Sequence, residues 1–329
     1  MSSQSSSVSK TQSVRRGVLM LLISFGGLAG SANPSLFVRA AAVFLMFTLA
    51  TGCSIAQQRT DSAAIRGTRI DVDIVGTLYV VDADRNAVTL YSKDRTRIRE
   101  IGGQGWDNDQ FDHPAGSWAR NGIDVFVADY GNHRIQRFDR SLNYVATLST
   151  RDSDDPNERF GYPTDVALSR LGDLFICDSE NTRIVKVNRF SKVERVFGGF
   201  DAGKGRLQKP TQVEIGPHDD VYVLDGNRIV VFDTFGNFLH HLGDGIFTSP
   251  HCVSADSDCI VVLDSTTVYC FDEADRLASS ILLRSLPLSP RTQVQTLALG
   301  QTALYLLTSE GLHIAPRPCP DNGGANLDK

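Results

Sequence analysis

Seven histidines, His113, His133, His218, His240, His241, His251 and His313, are the first candidates for metal or proton chemistry. A zinc-type ion needs three or four such ligands converging on one point. His113 precedes Pro114 and His251 follows Pro250, so both lie beside a proline that opens a strand. No third histidine repeats that placement. The run Asp152-x-Asp154-Asp155-x-Asn157-Glu158 offers closely spaced oxygen ligands of the kind that hold Ca²⁺. It lacks the glycine and final-glutamate spacing of an EF-hand loop and reads as a solvated acidic loop. Gly102-Gly103-x-Gly105 and Gly203-Lys204-Gly205 precede no helix, so they are turns and not phosphate cradles. No Cys-x-x-Cys or Cys-x-x-Cys-His occurs, which leaves zinc ribbons, thioredoxin-like redox sites and c-type haem without support. The residues assign no catalytic group, no metal and no cofactor.

What they do offer is binding. Three polar loops, 102–109, 151–159 and 198–205, are long and differ from one another. Long, variable loops on a rigid scaffold are where binding residues concentrate. Trp106, Tyr130, His133, Arg151 and Arg159 are the candidate contacts. The competing expectation is that Trp106 packs between structural units and that the charges are solvated.

The elements that position these loops come from a repeat. One copy reads Phe111-Asp112-His113-Pro114, Asp124-Val125-Phe126-Val127-Ala128-Asp129, Asn132-His133-Arg134-Ile135 and Phe138. The next reads Phe160-Gly161-Tyr162-Pro163, Asp173 to Asp178, Asn181-Thr182-Arg183-Ile184 and Val187. A third runs from Leu207-Gln208-Lys209-Pro210 through Asp220–Asp225 and Asn227-Arg228-Ile229 to Phe232. The closing aspartates Asp82, Asp129, Asp178, Asp225 and Asp264 recur at intervals of 47, 49, 47 and 39 residues. Short Val/Ile/Phe/Tyr runs at that period describe four-stranded propeller blades. No segment after residue 60 has a 3.6-residue apolar period, so the fold is all-β. Six strand pairs can be counted, which predicts a six-bladed β-propeller of four-stranded antiparallel blades. In the second copy the strands are expected at Ser117–Ala119, Val125–Ala128, Ile135–Asp139 and Tyr144–Leu148. Asp129 with Gly131-Asn132, and Asp178 with Asn181, fit a turn whose Asp accepts backbone N–H groups and whose Gly or Asn takes positive φ. The Phe or Leu of each Phe-x-x-Pro unit is expected to wedge between neighbouring blades. The sixth copy has Thr308 in the aspartate's place and ends in Pro316, Pro318 and Pro320, which cannot supply an interior strand. A closed ring hides its edges, so a segment within 60–68 is expected to complete the last blade.

Asp129–Ile135, preceded by Val-Phe-Val-Ala and followed by Phe138, resembles the NHL repeat, and Asn181–Ile184 and Asn227–Ile229 resemble variants of it. The likeness covers about residues 69–315 and is strongest in the second to fourth copies. It implies a six-bladed propeller. It also implies where enzymes of this type keep their metal. NHL-like amidating lyases hold zinc with three histidines around the channel, and related lactonases place Glu, Asn and Asp on a metal at its mouth. This chain lacks the third inner histidine and shows no match to the lactonase set.

The 329 residues carry a net charge of −5. No basic tract follows residue 60, which argues against a nucleic-acid partner. Residues 1–53 are a different material. Arg15-Arg16 precedes the apolar run at 17–23. Arg39 precedes a second run that ends in Ala50-Thr51-Gly52-Cys53. Each run is shorter than the ~20 residues that span a bilayer. The second run resembles a lipoprotein signal with Cys53 as the lipidated residue, and Val14–Leu19 resembles a twin-arginine signal. Two signals in series predict a start codon placed too early, with the true signal beginning near Val38. A membrane-anchoring hairpin is the competing reading. Residues 54–68 read as a tether with the ring-closing strand, 69–317 as the propeller and 318–329 as a disordered tail. Five cysteines remain beyond Cys53: Cys177, Cys252, Cys259, Cys270 and Cys319. Cys252, Cys259 and Cys270 fall on successive strands, as a cross-strand disulfide or as buried thiols. Together these readings predict an exported, lipid-anchored module in the cell envelope, on the periplasmic or surface side of a bacterial membrane. It would bind a protein, peptide or envelope glycan through its loops. A metal-dependent hydrolase or lyase at the channel mouth is the alternative.

Overall fold

The computed structural model describes residues 65–319 apart from residue 190. The expectations for the export signal, Cys53, the 54–64 tether and the tail beyond residue 319 lie outside the described residues. The described chain forms six antiparallel sheets in chain order. Blade one is β1 (Arg69–Val72), β2 (Leu78–Asp82), β3 (Ala87–Tyr91) and β4 (Arg97–Gly102). Blade two is β5 (Pro114–Trp118), β6 (Asp124–Asp129), β7 (Arg134–Asp139) and β8 (Tyr144–Leu148). Blade three is β9 (Pro163–Leu168), β10 (Leu174–Asp178), β11 (Arg183–Val187) and β12 (Val193–Phe197). Blade four is β13 (Pro210–Ile215), β14 (Val221–Asp225), β15 (Arg228–Phe232) and β16 (Phe238–Leu242). Blade five is β17 (Cys252–Ala255), β18 (Cys259–Leu263), β19 (Thr267–Asp272) and β20 (Leu277–Leu282). Blade six has three strands among the described residues, β21 (Val294–Leu299), β22 (Ala303–Thr308) and β23 (Gly311–Pro316). The fold is a six-bladed all-β propeller, as the repeat predicts.

The inner strands start earlier than expected. In blades two, three and four the motif proline is itself the first strand residue, as Pro114, Pro163 and Pro210. Proline suits that position because its missing N–H has no ladder partner to lose. A register shift follows within two residues, between Pro114 and Gly116 and between Pro210 and Gln212. A second bulge recurs between the third and fourth strands of blades one to five, at Leu90/Tyr91, Arg137/Phe138, Lys186/Val187, Val231/Phe232 and Cys270/Phe271. Bulges increase local twist, and repeated once per blade they turn each outer strand in the same way.

The core lies between blades. Phe111 and Phe160 are fully buried, and Leu207 is 2% exposed. Phe111 joins Tyr79, Val81, Val88 and Leu90 of blade one to Val125, Val127 and Phe138 of blade two, and its ring lies 6.0 Å from that of Phe138. The wedge role is therefore observed. At the ring's seam, Ile65 is buried with Ala298 and Leu307 of blade six and Ile70, Val72, Leu78 and Val80 of blade one. Thr68 donates its backbone N–H to Val81 O at 2.7 Å. Ile65 packs against blade six, Thr68 bonds blade one, and residues 65–68 form no strand on blade six; the remainder of the 60–68 segment lies outside the described residues.

Around the axis, side chains stitch four of the six inner-strand junctions. Asp71 Oδ2 accepts the Ala119 N–H at 2.8 Å, and Asp165 Oδ2 the Val213 N–H at 3.2 Å. Gln212 Oε1 accepts the Val253 N–H at 3.0 Å, and Ser254 Oγ the Leu299 N–H at 2.9 Å. An inner strand is a sheet edge whose buried N–H groups must find a partner, and these side chains supply one. Arg120 reaches across the axis to Ser254 Oγ (2.7 Å), Glu214 Oε1 (3.4 Å) and Leu299 O (3.4 Å).

This polar axis sets a pH dependence. Burial raises Asp165 to about 6, with Arg69 working against it. Burial raises Glu214 to about 8 against the opposing pull of Arg120, while Asp71 and Asp165 push it further. A carboxyl raised on folding makes the native state bind more protons than the unfolded chain, so stability falls as pH rises through that window. Glu214→Gln is expected to gain thermal stability over the wild type at pH 9 and to gain little at pH 5. Each kcal/mol gained corresponds to roughly 2–4 °C for a domain of this size. Melting curves with equal differences at the two pH values would refute the assignment.

Candidate binding face

Antiparallel order puts the interblade loops and the second-to-third-strand turns on one face, and all five candidate residues lie there. The turn of blade two builds the site. Asp129 is fully buried and accepts from Asp112 N–H (2.8 Å), Asn132 Nδ2 (2.9 Å) and Arg134 Nε (2.7 Å). The guanidinium of Arg134 then donates to Trp106 O (2.8 Å), Asp107 O (3.0 Å) and Gln110 O (3.0 Å). Asn132 Nδ2 adds Gly105 O at 2.8 Å. One carboxylate thus holds the turn, and through Arg134 it holds the loop that carries Trp106. The unit repeats. Arg183 joins Asp178 (2.8 Å) to Arg159 O (2.7 Å), and Arg228 joins Asp225 (3.0 Å) to Arg206 O (2.7 Å).

The left-handed residue of these turns is the one after the asparagine in blades two and three, a correction to the turn read from sequence. His133 has φ 52° and Thr182 φ 54°, while Asn132 has no positive φ and serves through its side chain. The left-handed backbone aims His133 at the next blade. Its Nδ1 accepts the Tyr162 backbone N–H at 3.1 Å and lies 3.1 Å from Arg151 Nη2. Both neighbours are donors, so Nδ1 is unprotonated. Asn86, left-handed at φ 53° in blade one, does the same for His113 with its Oδ1 at 2.6 Å.

The structure brings Tyr130, His133 and Arg151 together and adds two residues the sequence reading missed, Tyr162 and Glu180. The Tyr162 ring lies 4.1 Å from that of His133, edge-on, and 5.1 Å from that of Tyr130. Arg151 Nη1 is 3.1 Å from Glu180 Oε2. The group is partly exposed, with Tyr162, Arg151 and Glu180 on its rim. Trp106 stands apart on the loop braced by Arg134, 67% exposed, with the guanidinium 5.8 Å from its ring. It is not a core wedge. Arg159 is not part of the cluster: its Nε donates to Ser153 O at 2.8 Å and pins its own loop. In that loop Asp155 Oδ1 accepts the Asn157 N–H and Glu158 Oε2 the Ser153 hydroxyl.

The inner-strand histidines stay on the surface. His113 sits 3.0 Å from Asp112 and His251 Nδ1 3.2 Å from Ser249 O. Among the described residues the one close trio of ligand-type side chains is Cys259, Cys270 and Cys319, in blade five and its neighbouring segment and not at the axis, and two of its sulfurs are joined as a disulfide.

The NHL repeat family model matches residues 160–187, the third blade's part of the pattern. This chain carries an NHL repeat. It is 30% identical over 141 residues to Protein brain tumor of Drosophila melanogaster, over 41% of this chain and 13% of that protein. The chain therefore spans a small part of that relative's length. Among solved structures it is similar to the virginiamycin B lyase from Staphylococcus aureus, determined as a catalytically inactive form with quinupristin. The TM-score is 0.53 at 12% identity, over 78% of this chain and 80% of that one. A streptogramin B lyase gives a TM-score of 0.52 at 10% identity, over 80% and 86%. At such identities the likeness shows the shared propeller fold.

Burial first, and the Arg151 guanidinium second, hold His133 below the ordinary imidazole range, with Glu180 pulling the other way. Titration of its ring protons by NMR is expected to give a midpoint below ~6.5, moving upward in Arg151→Ala. A midpoint above that value, unmoved by the substitution, would show that the cluster is not assembled in solution.

Proposed function

We propose that the NHL propeller is a binding module for a protein or peptide, and that the loop face around Tyr130, His133 and Tyr162 is its contact surface. The observation that carries this reading is the preassembled aromatic cluster with Arg151 and Glu180 on its rim. Tyrosine and arginine on a fixed surface bind with little further loss of conformational freedom, which favours affinity. NHL-repeat propellers are typically protein-interaction modules, and the matched repeat contributes Tyr162 and Glu180 to this cluster.

We further propose that the module works outside the cytoplasm on a lipid anchor at Cys53. The Ala50-Thr51-Gly52-Cys53 exit supports this. So does the Cys259–Cys319 disulfide, since disulfides persist in oxidising compartments.

Two measurements test the proposal. A photo-crosslinking amino acid in place of Trp106 is expected to capture partner from envelope extract. Tyr130→Ala with Arg151→Ala should reduce that capture at least tenfold, as expected when contact residues worth over 1 kcal/mol are lost. Ile123→Ala on the opposite face should leave it unchanged. Equal capture by all three proteins would sink the assignment of the face. Mass spectrometry of the native mature chain should show a diacylated N-terminal Cys53. A mature protein that retains residues 1–37 would sink the anchor.

A further inference from the structure

Three cysteines that the binding face does not use meet beneath blades five and six. Cys259 starts β18, Cys270 lies near the end of β19, and Cys319 arrives from the segment after β23. All three are buried, at 1%, 0% and 7% exposure. Cys259 and Cys319 form a disulfide with a Cα–Cα distance of 6.5 Å. The Cys270 thiol sulfur lies 2.6 Å from Cys319 Sγ, and the three sulfurs all fall within 4.8 Å. A free thiol beside a disulfide can attack it, so Cys259 and Cys270 are alternative partners for Cys319. The remaining parts of the site serve such a competition. Arg317 Nη2 stands 3.4 Å from Cys259 Sγ, and Ser279 Oγ, on the residue paired with Cys270, holds Pro318 O at 2.7 Å.

We propose that these residues form a thiol–disulfide exchange site in which Cys319 passes between Cys259 and Cys270. The Cys270 thiolate attacks Cys319 Sγ, a Cys270–Cys319 bond forms, and the Cys259–Cys319 bond breaks. Cys259 leaves as a thiolate beside the Arg317 guanidinium and takes up the proton that Cys270 lost. One disulfide and one thiol stand on each side, so no oxidant or reductant is needed. Burial keeps external thiols away and makes the exchange internal to the chain. Its effect is mechanical, moving the tether of the C-terminal segment from the second strand of blade five to the third. Arg317, two residues earlier, ties that segment to Asp256 Oδ2 (2.8 Å) and Gly300 O (2.8 Å) in a pocket that Arg120 also lines, so the exchange acts on that pocket.

Exchange runs through the thiolate. Burial raises Cys270 to about 11, with Ser279 and Arg317 pulling it down and Asp256 and Asp272 pushing it up. The thiolate fraction, and with it the rate, should grow roughly 100-fold between pH 7 and pH 9. The test uses the full chain purified without reductant, incubated at each pH, quenched in acid and digested with pepsin for mass spectrometry of linked peptides. Wild type is expected to yield both the Cys259–Cys319 and the Cys270–Cys319 linkages, with the mixture reached faster at pH 9. Folded Cys259→Ser should carry Cys270–Cys319, and Cys270→Ser should be locked as Cys259–Cys319. A folded Cys259→Ser whose Cys319 is fully alkylatable overturns the proposal, as does a wild type with a single linkage at both pH values. Should Cys259→Ser fail to fold, the wild-type measurement decides alone.

Discussion

The loop face depends on one buried ion pair, repeated. In blades two, three and four an aspartate at the end of the second strand is almost completely buried and is met by an arginine from the start of the third. A buried carboxylate without a partner is costly, so the arginine and the surrounding N–H donors are obligatory. The arginine is buried or half-buried in turn and must place its remaining N–H groups, which it does on carbonyls of the incoming interblade loop. Satisfying one desolvated charge therefore fixes a turn, a loop and the junction between blades together. Such pairs add little net stability relative to an apolar replacement. Here the interaction specifies geometry, because an irregular loop gains a rigid attachment it could not build from its own backbone. Asp264 of blade five does the same task without an arginine. Burial works against ionisation there, but Thr248, Ser265 and Ser249 N–H groups and the Thr248 hydroxyl hold the carboxyl below its ordinary range.

The axis obeys the same rule with different residues. Inner strands are sheet edges that do not pair with their neighbours around the axis. Asp71, Asp165, Gln212 and Ser254 bridge the gaps by accepting the next strand's N–H groups. Asp71 and Asp165 are thus structural acceptors first, while Glu214 is held by Arg120. A residue type that suggests catalysis in other propellers is here engaged in closing the ring, and Arg120 occupies the space between.

What the sequence made legible follows from this division. The repeat exposed everything that each blade must solve again: the strand pattern, the aspartate, the wedge Phe and the proline. It exposed Arg151 because the 151–159 loop breaks the pattern, and Tyr130 and His133 because they fill variable positions of the repeated turn on the same face. It could not show Tyr162, since the residue before Pro163 enters the site only through a left-handed backbone at φ 47°. It could not show that Arg134 holds the Trp106 loop, because the partners are carbonyl groups, which every residue has. Arg159 looked free for the same reason: its Nε bond is to the Ser153 carbonyl in its own loop. The partner of Cys259 was equally hidden, being 60 residues away in a segment that reads as tail, and cysteine connectivity does not follow from spacing.

The left-handed turn residue joins the two halves of this structure. In blade one Asn86 fills that position and caps the backbone N–H of His113 with its own amide oxygen. In blade two His133 fills it and caps Tyr162 through Nδ1, so the structural duty is kept while an imidazole replaces an amide. The replacement adds a ring face, which Tyr162 meets edge-on, and a nitrogen beside which Arg151 settles. An aromatic cluster has thus been built by changing the chemistry of one capping residue without altering the cap. The same logic predicts where other surfaces of this propeller can vary at low cost: positions whose backbone duty any short acceptor can perform, and whose remaining atoms face solvent.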